Sequence, residues 1–118
     1  LSQTLFATGV ITPATLTGSV NDYAPTGFAT ASIVRVSSDA GWTITGLAGG
    51  TANRLVWLVN INTGTVAIVF AHDSASSAAA NRFYLVDAAA KSLLAGGGCL
   101  LWYDGTSSRW RIISDRTA

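Results

Sequence analysis

Apolar residues fall in short runs broken by turn residues. The densest stretch is Arg54 to Ala71, RLVWLVNINTGTVAIVFA. Two apolar, β-branched runs flank Asn62-Thr63-Gly64, a pattern that predicts a β-hairpin. Side chains alternate between the faces of a strand. In the first run Leu55, Trp57, Val59 and Ile61 therefore share one face, and Val56 and Leu58 lie on the other. A half-exposed strand carries polar residues on one face. This one is apolar on both, so a second sheet and a neighbouring subunit are expected to cover it. Val56, Trp57 and Leu58 are the candidate subunit-interface residues.

The other runs are shorter. Leu5 to Ile11 reads as a short strand, and Ala31 to Ser37 as a second, with Ser32, Val34 and Val36 on one face. Trp42-Thr43-Ile44-Thr45 alternates, which predicts Trp42 and Ile44 inward and both threonines outward. His72 to Arg82 is a loop of small residues, followed by the apolar run Phe83 to Val86. Asp87 to Leu94 reads as a loop leading into a short strand, with a short helix capped by Asp87 as the alternative. The chain closes on a hairpin, Cys99 to Tyr103 against Arg109 to Ile113, across a loop opened by Asp104-Gly105. Six to eight short strands at this spacing predict an all-β fold, an antiparallel β-sandwich that is jelly-roll-like. No internal repeat has a fixed period. Residues 1–30 are rich in Thr, Ala, Gly and Pro yet carry Leu5, Phe6, Val10, Ile11, Leu16, Tyr23 and Phe28. They read as an extended arm or first strand packed on the domain or on a neighbour, with 31–118 as the sandwich.

Composition sharpens this picture. Of 118 residues, 49% are hydrophobic and 11% charged, against about 25% charged in an ordinary soluble domain. Such a deficit points to surface buried in contacts. Glu and Met are absent and Lys91 is the single lysine, while Thr, Val, Ile and Trp abound, which favours strands over helices. A net charge of +1 with scattered arginines provides no field for nucleic acid. One cysteine, Cys99, excludes an intrachain disulfide and reads as a buried small hydrophobe. No apolar run approaches the roughly 20 residues of a membrane-spanning helix, so membrane insertion is not expected. The first residues lack the basic start and apolar core of a signal peptide. The chain begins without Met and reads as a processed protein or a domain of a longer one.

Three segments together carry a resemblance. They are Thr17 to Phe28 (TGSVNDYAPTGF), His72-Asp73-Ser74 running on to Ala80-Asn81-Arg82-Phe83, and Trp102 to Arg111 (WYDGTSSRWR). Their order resembles a compact domain of bacteriophage virion proteins, found at the ends of tail-fibre-like or minor structural proteins. The resemblance implies a trimeric all-β module on the surface of a phage particle. It implies a non-enzymatic role, with host-surface attachment as the expected function and capsid decoration, cementing the phage head, as the alternative. Expected partners are two further copies of the chain, other virion proteins and a host-surface glycan.

Candidate chemistry is sparse. His72-Asp73 is the one His-acid pair, but no Gly-x-Ser-x-Gly elbow accompanies it, and a His at a strand end bonding the loop explains it. One His and one Cys do not make a zinc site. Asp22, Asp39, Asp73, Asp87, Asp104 and Asp115 are spread one per loop and read as turn residues. The glycines at 49–50 and 96–98 lack the Gly-Lys-Ser/Thr of a phosphate loop. Without Glu and with its aspartates dispersed, the chain offers no paired carboxylates for a glycan hydrolase. Nothing calls for a cofactor. Trp42, Trp57, Trp102 and Trp110 read as core or interface residues, and Tyr23, His72, Asp73 and Tyr84 are the candidate ligand contacts on loops.

Overall fold

A computed structural model describes residues 8–113. The strands among them are β1 (Val10–Ile11), β2 (Ile33–Val36), β3 (Thr43–Ile44), β4 (Leu55–Asn60), β5 (Ile68–Phe70), β6 (Lys91–Leu93), β7 (Gly98–Asp104) and β8 (Arg109–Ile112). No α-helix is present among the described residues, in line with the shortage of helix formers. A five-stranded sheet runs β1-β2-β4-β7-β8, and a three-stranded sheet runs β3-β5-β6. The inner faces of both contribute to one core, so the arrangement is sandwich-like.

The sheets are mixed, not antiparallel. β1–β2, β2–β4 and β3–β5 pair in parallel, while β4–β7, β7–β8 and β5–β6 are antiparallel. The cause is the route of the chain. After β2 it crosses to the other sheet for β3, then returns as β4 beside β2 and in the same direction. An intervening strand in the opposite sheet thus does what a crossover helix does elsewhere. This departs from the all-antiparallel wiring expected of a jelly-roll-like sandwich.

The expected hairpin at 54–71 is also not formed. β4 belongs to the five-stranded sheet and β5 to the three-stranded one, so Asn62-Thr63-Gly64 turns a corner between sheets. Asn60, wholly buried at the end of β4, makes that corner possible. Its Nδ2 donates to Val66 O (3.0 Å) and Leu93 O (2.9 Å), and its Oδ1 accepts from Asn62 N–H. Asn62 in turn accepts from Ser38 N–H and donates to Val66 O. Side chains here satisfy backbone groups that a hairpin ladder would have paired.

The C-terminal hairpin forms as expected, with Tyr103 opposite Trp110 and Asp104 opposite Arg109. Trp110, fully buried, packs edge-on to Tyr103 at 5.1 Å and donates Nε1–H to Leu47 O. Trp102 stands opposite Arg111. Asp87 to Leu94 is a tight turn at Val86–Ala88 followed by β6, the loop-then-strand reading. Ile44 is inward and Trp42 half-buried, but Thr45 is buried too, correcting its outward assignment. Its hydroxyl donates to Asn21 Oδ1 at 2.7 Å and lies 2.8 Å from Ser77 Oγ, so the polar group is satisfied inside.

The N-terminal segment lies along the body. Leu16, Val20 and Tyr23 bridge in parallel to Ser38, Ile44 and Leu47, so that Val20 lies on the free edge of β3. The Leu5 to Ile11 strand is seen as Val10–Ile11, and Leu5 and Phe6 lie outside the described residues. Arg82 to Tyr84 lies between β8 and the end of β5, and Arg82 also bridges to Gly46 after β3. Tyr84 N–H donates to Trp110 O, Trp110 N–H donates to Arg82 O, and Phe83 bridges to His72. This segment covers the β8 edge and joins the two sheets.

Candidate functional site

Two regions of the surface stand out. The first is the outer face of the five-stranded sheet. Along β4 the inner side chains are Val56 and Leu58, at 0% and 1% exposure, with Asn60. Leu55 and Trp57 point the other way and remain 52% and 44% exposed. Strand register sets Val10 beside Ile33, Ile33 beside Trp57 and Trp57 beside Leu100. Ile113 N–H donates to Leu100 O, which brings exposed Ile113 to the end of the same row. A second row places Leu55 beside Trp102 and Trp102 beside Arg111. The apolar second face of this strand is therefore real and uncovered in the single chain. Of the three candidate interface residues, Trp57 is on it. Val56 and Leu58 belong to the chain's own core and present nothing to a neighbour.

The second region is at the β8 edge. His72, Asp73 and Tyr84 come together there, although twelve positions separate the first from the last. Leu85 N–H donates to His72 Nδ1 at 3.0 Å, which leaves the imidazole proton on Nε2. His72 meets the Tyr84 ring edge-on at 4.5 Å, and the Arg111 guanidinium lies 5.2 Å from that ring's centre. Asp73 Oδ1 accepts from Arg109 Nε–H at 3.0 Å and lies 3.8 Å from Arg82. Arg111 Nε–H donates to Asp104 Oδ2 at 2.9 Å. That bond, then the Ser107 hydroxyl and backbone N–H groups of the turn, hold the Asp104 carboxyl below its ordinary range. An open cleft of about 480 Å³ is lined by Tyr84 to Ala88, Arg111 and Ile112. Sequence reasoning missed Arg111, which alternates outward beside Trp110. Its place over Tyr84 depends on a pairing across the fold.

Tyr23 is elsewhere. Its backbone bonds Gly46 and Ala48, and its hydroxyl is buried with no hydrogen-bond partner among the described residues. Burial pushes that phenol above its ordinary pKa. Asp22, beside it, accepts from Ala78 N–H (2.8 Å) and Asn81 Nδ2 (2.9 Å). Asp22, Asp73 and Asp87 adopt positive φ, the left-handed turn conformation that Asp tolerates. Asp115 lies outside the described residues. Arg54 is a staple: it donates to Gly49 O, Phe28 O and Ala31 O, with its guanidinium over the Phe28 ring. Cys99 is fully buried, and burial pushes its thiol up to about 12. Among the described residues no three metal-ligating side chains converge, and no helix is long and apolar enough to cross a membrane.

No protein-family model, no curated protein and no solved structure matches this chain.

Proposed function

We propose that this chain is a non-enzymatic structural module of a bacteriophage particle: a trimeric, tail-fibre-type domain, exposed on the virion and involved in host-surface attachment. The observation that carries the reading is the uncovered apolar outer face centred on Leu55 and Trp57. An exposed face of this kind marks a contact surface, and a symmetric homo-oligomer is the commonest way to cover one. The three segments that resemble phage virion domains support it in a second way. Asp22 of the first ties to Asn81 of the second and to Ala78 just before it, and Asp73 of the second ties to Arg109 of the third. Such motifs explain themselves as structural locks and need no chemistry.

Capsid decoration is the alternative role, and it would use the N-terminal segment as a clamp. The part of that segment from Leu16 to Tyr23 is already bonded to the body, which favours the fibre reading. Immunogold labelling of phage particles made from the parent genome tests the assignment. Label at tail tips is the expected result. Label over heads would move the module to the decoration role, and unlabelled particles would contradict both.

A further inference from the structure

We infer that the cleft beside β8 is a binding site for a neutral sugar, a hexopyranose unit of an uncharged glycan, held between Tyr84, Asp87 and Arg111. The inference rests on the attachment reading for its biological setting, but its argument is the chemistry of the cleft. The volume of about 480 Å³ falls in the range of small-molecule sites, about 300–1,000 Å³. Its apolar surface is exposed: Tyr84 retains 44% and Val86 64% of their accessible area, and Ile112 adds to the lining. The Tyr84 ring is fixed in place by His72 and Arg111, so its use as a platform costs little conformational entropy. C–H faces of a pyranose pack on such a ring, and its hydroxyls need both acceptors and donors nearby.

Both are present. The Asp87 carboxylate makes no hydrogen bond or ion pair among the described residues and is exposed on the cleft's lip. Asp87 and Ala88 both have positive φ (59° and 51°), an uncommon run for non-glycine residues that shapes that lip. Arg111 is bonded to Asp104 through Nε and to Ser107 Oγ through Nη2 (3.4 Å), which leaves the Nη1 N–H groups as donors at the cleft. Charge selects the ligand. Arg82 and Arg109 share Asp73, Arg111 has Asp104, and Asp87 is the remaining acid. Of the residues that line the cleft only Arg111 and Asp87 are charged, and Arg111 is already paired with Asp104, so no surplus positive charge is left for a phosphate, a sulfate or a sialic acid carboxylate. A neutral polyhydroxyl ligand fits this balance, and an anion does not.

The test is a glycan array carrying neutral hexose and N-acetylhexosamine oligosaccharides beside sialylated and sulfated ones, probed with the purified chain. The best-retained neutral oligosaccharide is then titrated while amide resonances are followed by NMR. The expected result is retention of neutral glycans, with shifts concentrated at Tyr84, Val86 to Ala88 and Arg111. Tyr84→Ala and Asp87→Asn should each weaken binding at least tenfold, while Thr63→Ala, at an exposed turn position outside the cleft lining, leaves it unchanged. Both sites are exposed, and Asn tolerates the left-handed backbone, so these variants keep the fold. Retention confined to acidic glycans, retention unaffected by both variants, or no retention at all would overturn the inference. The two proposals separate cleanly. A trimer that binds no glycan removes the cleft alone, and a monomer that binds neutral glycan through Tyr84 removes the assembly alone.

Discussion

A few side chains carry more of this fold than their number suggests, and Asn60 is the first of them. It is a wholly buried polar residue whose amide satisfies two carbonyls and one N–H where the chain changes sheets. Asn60→Ala leaves those backbone groups unpaired, each at a cost of about 1–3 kcal/mol. We expect a loss of about 2–5 kcal/mol in urea unfolding; a loss under about 0.5 kcal/mol would contradict this role for Asn60. Gly50 is a steric case. A Cβ there would sit 2.1 Å from the ring of Tyr103, and that ring is pinned by its hydroxyl bond to Ala80 O. Gly50→Ala should cost about 1–3 kcal/mol by overpacking. Asp104 is a case for pH. Its folded carboxyl titrates below its ordinary value near 3.8, chiefly because of Arg111. Its contribution is complete above the unfolded pKa and is lost as pH falls through the lower folded one. Stability should therefore drop on acidification below about pH 4, and Asp104→Asn should flatten that part of the curve.

At the scale of elements, β4 divides its work between its two faces. Leu58→Ala opens a cavity in the core and should cost about 2–5 kcal/mol in thermal or denaturant unfolding. Trp57→Ser, on the outer face, should cost the isolated chain within about 0.5 kcal/mol and act on association instead. Equal losses in fold stability from both would contradict the division. The two apolar faces of this strand were legible in the sequence, because alternation assigns faces without reference to the fold. Which face was the core was not legible, since Leu-Trp-Val and Val-Leu are equally apolar. The C-terminal hairpin was legible because Asp104-Gly105 and its flanking runs are local signals. The crossing at 62–64 was read as a hairpin because the same local pattern serves both, and the choice between them is made by Ser38, Val66 and Leu93, remote or overlooked partners of two asparagines. Parallel pairing of β2 with β4 was out of reach for the same reason. At the β8 edge, His72, Asp73 and Tyr84 were found by residue type on loops, whereas Arg111 needed the register of β8 against the 82–84 segment.

Over the whole molecule, the composition now has a geometric counterpart. A core shared by two sheets accounts for the inner apolar side chains, yet Val10, Leu55, Trp57 and Ile113 are left at least 44% exposed on or beside one sheet face. With 11% charged residues, much of it spent on internal ion pairs and backbone staples, few charges remain to keep that face in water. Covering each of these side chains contributes on the order of 1 kcal/mol, and a three-fold assembly gains it three times over. Association through the β4 face is therefore the proposed way of covering these side chains. The most direct measurement is the solution mass of the purified chain by light scattering across a dilution series, beside a Leu55→Ser/Trp57→Ser double variant. We predict a mass of three chains for the natural sequence and of one chain, still folded, for the variant. A natural sequence that stays monomeric at every concentration would contradict the claim.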